Sequence, residues 1–318
     1  MFSAVVNAAF PVFALILTGW GCARIGIMGS SATEGLNRFV VYLALPAQLF
    51  AAMAHAPLAE LARPGFYFAN GLGMVITASG YAWLSRGLPG DPVDRIINAM
   101  SATYSNAGFM GIPLCLMVFG KSGLSASILC TLFTVSALFA VTIMLIELRT
   151  LQGGHIGTAA IKVARALMRN PILVAPLLGV AWASTGWDLP AAPERFIDLI
   201  GSASTPCALI AIGLFLAQSE IQGSHSGAFS RHIVRIVGLK LLVQPVATAV
   251  LVLWVFDVPR LWAQVAILSA ALPVGTGPYM LAQIYHRDAA VSARAILLST
   301  IGSVVTISIV IAWIGAYP

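Results

Sequence analysis

The chain has 318 residues, 59% of them hydrophobic and 9% charged, with a formal net charge of +6 and a mean hydropathy of +0.93. Soluble globular domains carry about 25% charged residues, so this composition excludes a water-soluble enzyme or binding module and defines an integral membrane protein. The basic residues are spread along loops rather than gathered on one face, which excludes a nucleic-acid-binding surface.

A helical span needs about 20 apolar residues. Hydropathy and the Gly and Pro breakers predict an all-α bundle with spans near residues 4–24, 36–54, 64–86, 94–119, 122–148, 170–187, 195–218, 231–256, 260–285 and 289–315. The amino terminus lacks a basic n-region and is long enough to span, so it reads as the first helix and not as a signal peptide. With that terminus outside, 13 of the 17 Lys and Arg residues fall on inner loops and helix ends, leaving Arg63, Lys121, Arg195 and Arg260 outside. This positive-inside bias requires an even number of spans and places both termini on the periplasmic or extracellular side. The inner connector 149–169 carries Lys162, Arg165 and Arg169 at helical spacing, which predicts a basic amphipathic turn against membrane lipid. Cys22, Cys115, Cys130 and Cys207 sit within or at the ends of apolar segments without CxxC spacing, as packing residues do.

Two spans are interrupted. Tyr104 to Pro113 reads YSNAGFMGIP, and Leu272 to Tyr279 reads LPVGTGPY. Proline removes a backbone donor and glycine removes the constraint that keeps a backbone helical, so Gly111 and Pro113 in the first span, and Pro273, Gly275, Gly277 and Pro278 in the second, predict breaks. Unwound backbone at membrane depth survives only against protein or a water-filled cavity. Transporters commonly build substrate sites there.

The breaks continue into matching sequence, VFGKSGLSASILCTLFTVSA and IYHRDAAVSARAILLSTIGSV; setting Phe119 on Tyr285 also pairs Lys121 with Arg287. Pro11 and Pro176 each open an apolar run with a Gly and a Trp downstream, and Arg38-Phe39 before Pro46 resembles Arg195-Phe196 before Pro206. The order of these matches predicts two homologous halves, 1–148 and 170–318. Five spans in each make the second half enter the membrane in the opposite sense, an inverted repeat whose fourth and ninth helices cross near the midplane. Alternating access uses such symmetry.

Asn106, with an amide that both donates and accepts, is the first candidate for a small carboxylate, beside the amides exposed at Gly108. Helix amino ends add partial positive charge there. Thr276 and Tyr279 are the polar candidates at the second break, and Gln244, Asn70, Thr77 and Ser79 are placed as further candidate cavity residues. Lys240 and Glu147 are candidates for coupling or for an ion pair with each other. No catalytic set, HExxH or other metal spacing occurs, and no cofactor is expected; proton or sodium coupling is left open.

YSNAGFMGIPL, STPCALIAIGLFLA, KLLVQP and PVGTGPYMLAQIY together resemble the auxin efflux carrier family, which includes plant PIN carriers and bacterial malonate-type transporters. The resemblance covers essentially the whole chain. It implies a fold related to bile acid:sodium symporters, with helices 1, 2, 6 and 7 as a scaffold and dimer contact. Helices 3–5 and 8–10 would move as an elevator, and Asn106 matches a substrate-contacting asparagine. Plant carriers have a second crossover asparagine where this chain has Gly275 and Thr276, and it lacks their long central loop. The expectation is a bacterial inner-membrane carrier of small mono- or dicarboxylates such as malonate. A sodium-coupled bile acid or sterol-like carrier, and a non-transporting sensor or channel, are the alternatives.

Overall fold

In hydrocarbon a backbone has no hydrogen-bond partner but protein, and long apolar runs therefore fold as helices. The computed structural model describes residues 2–56, 62–87, 91–150, 161, 164–165, 168–222, 231–287 and 289–316. In chain order these form α1 (Phe2–Arg24), α2 (Ser30–Ala54), α3 (Pro64–Leu84), α4 (Pro92–Ser101), α5 (107–119), α6 (124–150), α7 (Pro171–Ala183), α8 (191–222), α9 (Arg231–Val255), α10 (Arg260–Ala270), α11 (Gly277–Ile284) and α12 (Ala290–Ala316). No strand occurs among the described residues. Five continuous helical stretches, 30–54, 107–149, 191–218, 231–255 and 290–314, are long and apolar enough to cross a membrane, and 10–24 and 171–183 are shorter apolar helices. The protein is a multi-pass helical membrane protein. Most of the predicted amphipathic turn in the connector 149–169, Lys162 included, lies outside the described residues.

Prolines inside these helices do not break them. Pro46, Pro113 and Pro245 each follow a wide π turn, in which the residue before the proline donates five positions back: Leu45 to Val40, Ile112 to Ala107 and Gln244 to Leu239. The wider turn shifts the hydrogen-bond register by one residue, so the proline enters as the first turn of the next α-helical stretch, where its missing N–H costs nothing. The break expected near Pro113 is thereby corrected: the chain unwinds at Ala102–Asn106, and Gly111 and Pro113 lie beyond it inside α5.

α1 packs along α8, and α2 along α7. The α1–α8 contact is a backbone contact: a Cβ on Gly213 would land on the Ile16 carbonyl oxygen, and one on Gly19 on that of Ile210. Small residues allow such approach where lipid offers no hydrophobic drive for association. Gly213→Leu is therefore expected to separate α1 from α8 and lower the unfolding temperature in detergent, by about 1–3 kcal/mol of overpacking, whereas Gly21→Ala, with open space at its Cβ, leaves it unchanged. α3 packs against α9, α9 against α10 and α12, and α4 against α6 and α11. The largest buried cluster runs through this second group and onto α1 and α8, from Phe66 and Tyr81 through Met110 and Cys130 to Trp262 and Ile307.

Candidate functional site at the helix crossing

Past Ser101 the chain meets Thr103, Ser105 and Asn106, whose side chains compete with helical backbone bonding, and it extends. Past Ala270 it meets Pro273, whose ring disfavours the helical conformation at Leu272. The two extended segments lie antiparallel, with Ser105 opposite Val274. Asn106 N–H donates to the Pro273 carbonyl at 2.9 Å and Gly275 N–H to the Tyr104 carbonyl at 2.9 Å. The two interrupted helices thus join through a two-residue patch of β pairing.

Three more freed backbone groups are satisfied by side chains from neighbouring helices. Val274 N–H donates to Ser299 Oγ of α12 at 3.0 Å. Gln244 Nε2 donates to the Thr103 carbonyl at 3.0 Å, and Lys240 Nζ to the Ala270 carbonyl at 2.6 Å. Gly275 and Gly277 leave room for the Tyr104 ring, which a Cβ at either position would approach to 2.8 and 2.6 Å.

From this crossing α5 and α11 begin, and their N-cap residues are Asn106 and Thr276, neither of which makes a side-chain capping bond. The first N–H groups of each helix have no intrahelical partner, and the helix dipole gives both ends partial positive charge. A cavity of about 830 Å³ lies against them, and a second of about 470 Å³ adjoins it. Both are lined by Glu34, Asn37, Asn106, Phe109, Thr276 and Met280. One wall comes from α2 and α8, where Gln218 Nε2 donates to Thr33 Oγ1 at 2.7 Å; the other comes from α5, α11 and α12. An edge-to-face pair, Phe215 with Tyr279 at 5.6 Å between ring centroids, spans the walls. Among the described lining residues, Arg38, Arg169 and Arg294 stand against the carboxylate of Glu34, which Arg38 meets at 2.5 Å. Its charge balance favours an anion.

Of the residues singled out in the sequence, Asn106, Thr276 and Tyr279 line the larger cavity and Gly108 the smaller. Gln244 is buried at 2% exposure and braces the crossing instead of lining either cavity. Asn70 donates to the Phe66 carbonyl and accepts from the Cys130 thiol, Thr77 bonds the Gly73 carbonyl, and Ser79 is exposed. Glu147 accepts from the Tyr285 hydroxyl at 3.0 Å, while Lys240 bonds backbone. The contribution of α2 was missed. Ser30, Thr33, Glu34 and Asn37 recur at helical spacing in SSATEGLNRF and form one polar face. That periodicity was visible in the sequence, but the stretch precedes the apolar run that marks the span.

A membrane-embedded cavity set between two groups of helices, with the amino ends of two broken helices at its base, is the site of a membrane transporter. The chain belongs to the family described as Membrane transport protein, the auxin efflux carrier family, which it matches over residues 4–311. It is 28% identical to a Rhizobium meliloti protein named "Putative malonate transporter", covering 96% of this chain and 94% of that one. An "Uncharacterized transporter" of Methanothermobacter thermautotrophicus is 26% identical, over 96% of this chain and 97% of the relative. "Auxin efflux carrier component 8" of Arabidopsis thaliana is 23% identical over 89% of each chain. The family and these relatives are transporters, not enzymes.

Proposed function

We propose that this transporter carries small organic anions, mono- or dicarboxylates of the malonate type, across a bacterial inner membrane. The observation that carries the reading is the convergence of Asn106 and Thr276, each with an uncommitted side chain at a helix amino end, on one cavity. A carboxylate there accepts from the Asn106 side-chain amide, the Thr276 hydroxyl and the N–H groups left in the first turns of α5 and α11, where Ala107 N–H is held by the Ser105 carbonyl and Pro278 has none, without a full positive charge at its base. The name of the Rhizobium relative supports the substrate class.

The reading includes ten spans in two inverted halves, 1–148 and 170–318. Exchanging the halves carries α1 into α7 and α2 into α8, so it converts the α1–α8 contact into the α7–α2 contact, and both contacts exist. The cavity opens at the amino ends of α2 and α12, beside Arg169, the side the basic bias assigns to the cytoplasm. In this reading the conformation faces inward, and α3–α6 and α9–α12 slide as an elevator against α1, α2, α7 and α8. The apolar outer face of α7, with Leu177 58% and Leu178 57% exposed, suits lipid or a homodimer contact through the scaffold. A larger amphipathic carboxylate, such as a bile acid or sterol-like anion, is the second reading. The 830 Å³ volume and the apolar wall of Phe109, Phe215 and Met280 favour it.

A thermal-shift screen of the purified protein separates these readings. A ligand at about a hundred times its dissociation constant stabilises by about 2.7 kcal/mol. Malonate and short mono- and dicarboxylates are expected to raise the unfolding temperature and to be taken up by proteoliposomes with saturation and counterflow. A response to bile acids alone selects the second reading. Flux without saturation or counterflow selects a channel and sinks the carrier.

A further inference from the structure

Away from the crossing, α3, α4 and the first turns of α9 pack against one another. Each brings a pair of polar side chains one helical turn apart, a spacing that puts both on one face: Tyr81 and Ser85 from the end of α3, Arg95 and Asn98 from α4, His232 and Arg235 from α9. The hydroxyl of Tyr81, a residue 1% exposed, shares a hydrogen bond of 2.6 Å with His232 Nδ1, and Ser85, Asn98, Arg235 and Arg95 surround it. Two donors of this cluster are left over. Ser85 Oγ, in a residue 2% exposed, and Arg235 Nη1 are both buried without a hydrogen-bond partner. An arginine that merely marks a helix end reaches into water, as the exposed Arg231 does one turn earlier. A guanidinium nitrogen held inside without an acceptor is costly. None of the six residues lines either cavity.

We propose that this cluster is a binding site for a phosphate group, separate from the substrate cavity. An acceptor that satisfies Ser85 Oγ and Arg235 Nη1 together needs several oxygens and a negative charge to set against Arg95 and Arg235. Phosphate has both, and arginine meets it with paired, charge-assisted hydrogen bonds. Two sources share this chemistry, the headgroup of an anionic phospholipid and free inorganic phosphate. Trp83, Leu84 and Val234 stand on the same turns, 64%, 39% and 49% exposed, as side chains at a lipid boundary do, and basic pockets between helices take lipid headgroups at that level. The acids nearest in sequence, Asp91 and Asp94, reach Arg287 at 3.0 and 3.8 Å. A phosphate bound here ties α3 and α4 to α9, and α4 leads directly into the crossing. The site shares no residue with the carboxylate proposal, so the two stand or fall separately.

The full chain, purified in detergent and freed of lipid, is unfolded by heat with phosphatidylglycerol, phosphatidylcholine or sodium phosphate added, against sodium chloride at equal ionic strength. A response to phosphatidylglycerol well above that to phosphatidylcholine identifies a lipid headgroup; a response to sodium phosphate that depends on Arg235 identifies free phosphate. Arg235→Gln is expected to raise the ligand concentration needed by about ten- to a hundredfold, and Ser85→Ala by about three- to tenfold. Because Ser85 Oγ has no partner, Ser85→Ala keeps the wild-type unfolding temperature without ligand, and its weaker response is then no folding defect. Arg231→Gln keeps the wild-type response. No response to any phosphate source overturns the proposal, as does an equal response to the two lipids with none to sodium phosphate. Equal losses in Arg231→Gln and Arg235→Gln, which mark a general surface charge, or a wild-type response in Ser85→Ala, also overturn it. If Arg235→Gln yields no folded protein, Ser85→Ala alone decides.

Discussion

Asn106→Ala is expected to weaken carboxylate binding by about ten- to a hundredfold while leaving the fold intact, since a hydrogen bond to a charged group contributes about 1.5–3 kcal/mol. The fold survives because Asn106 holds the crossing with its main chain. Its N–H donates to Pro273, and its carbonyl accepts from Met110 and Gly111 at 3.1 and 3.0 Å, while its side chain caps nothing. The readouts are the malonate-dependent shift in unfolding temperature and malonate uptake into proteoliposomes; both should fall, with the ligand-free unfolding temperature close to that of the wild type. Asn106→Asp should do more damage, because it sets a negative charge at the same place. A variant that folds and responds to malonate as the wild type does would remove Asn106 from the site.

Gly275→Val is expected to destroy the site and destabilise the protein together. A Cβ at this position would lie 2.8 and 2.9 Å from two Tyr104 ring carbons and 3.1 Å from the Asn106 Cα. The ring cannot swing clear, because Phe139 holds it edge-on at 5.6 Å between centroids. The strain goes into the backbone, stretching the Gly275–Tyr104 and Asn106–Pro273 bonds. Overpacking costs about 1–3 kcal/mol, and each hydrogen bond lost adds about 0.5–1.5 kcal/mol. Thermal unfolding should shift down and any carboxylate response should vanish, in contrast to Asn106→Ala, where only the response is lost. Wild-type stability in Gly275→Val would mean the two segments are not held as tightly as these distances require.

Membrane class, helical content, the two interruptions and Asn106 and Thr276 as the polar residues beside them were all legible in the chain. They were legible because each depends on local properties. Apolar run length sets whether a segment can span, and Gly, Pro and Asn disfavour helix wherever they occur. Where the helix would actually part was not legible at the same precision. Pro113 looked like the breaking residue, yet a π turn absorbs it, and the unwinding falls at Ala102–Asn106, where Pro273 and Gly275 of the other segment supply hydrogen-bond partners. The break sits where its replacement bonds are.

The same contrast separates Gln244 and Lys240 from the cavity wall. In the sequence both are polar residues in an apolar span, Gln244 a candidate for the cavity and Lys240 a candidate for coupling or for an ion pair with Glu147. Only the packing of α9 against the ends of α4 and α10 decides that they hold the Thr103 and Ala270 carbonyls. Conversely, Glu34 precedes the predicted second span and Arg38 stands at its start, and their place at the cavity comes from the docking of α2 beside α8. The sequence by itself determined that this protein is a helical membrane transporter with two weakened helices, since hydrophobicity and backbone propensity act within a few residues of one another. The tertiary structure alone decided which weakened backbone groups pair and which side chains brace them. It also left Asn106 and Thr276 uncommitted, because hydrogen bonds between segments far apart in the chain depend on where each one comes to lie.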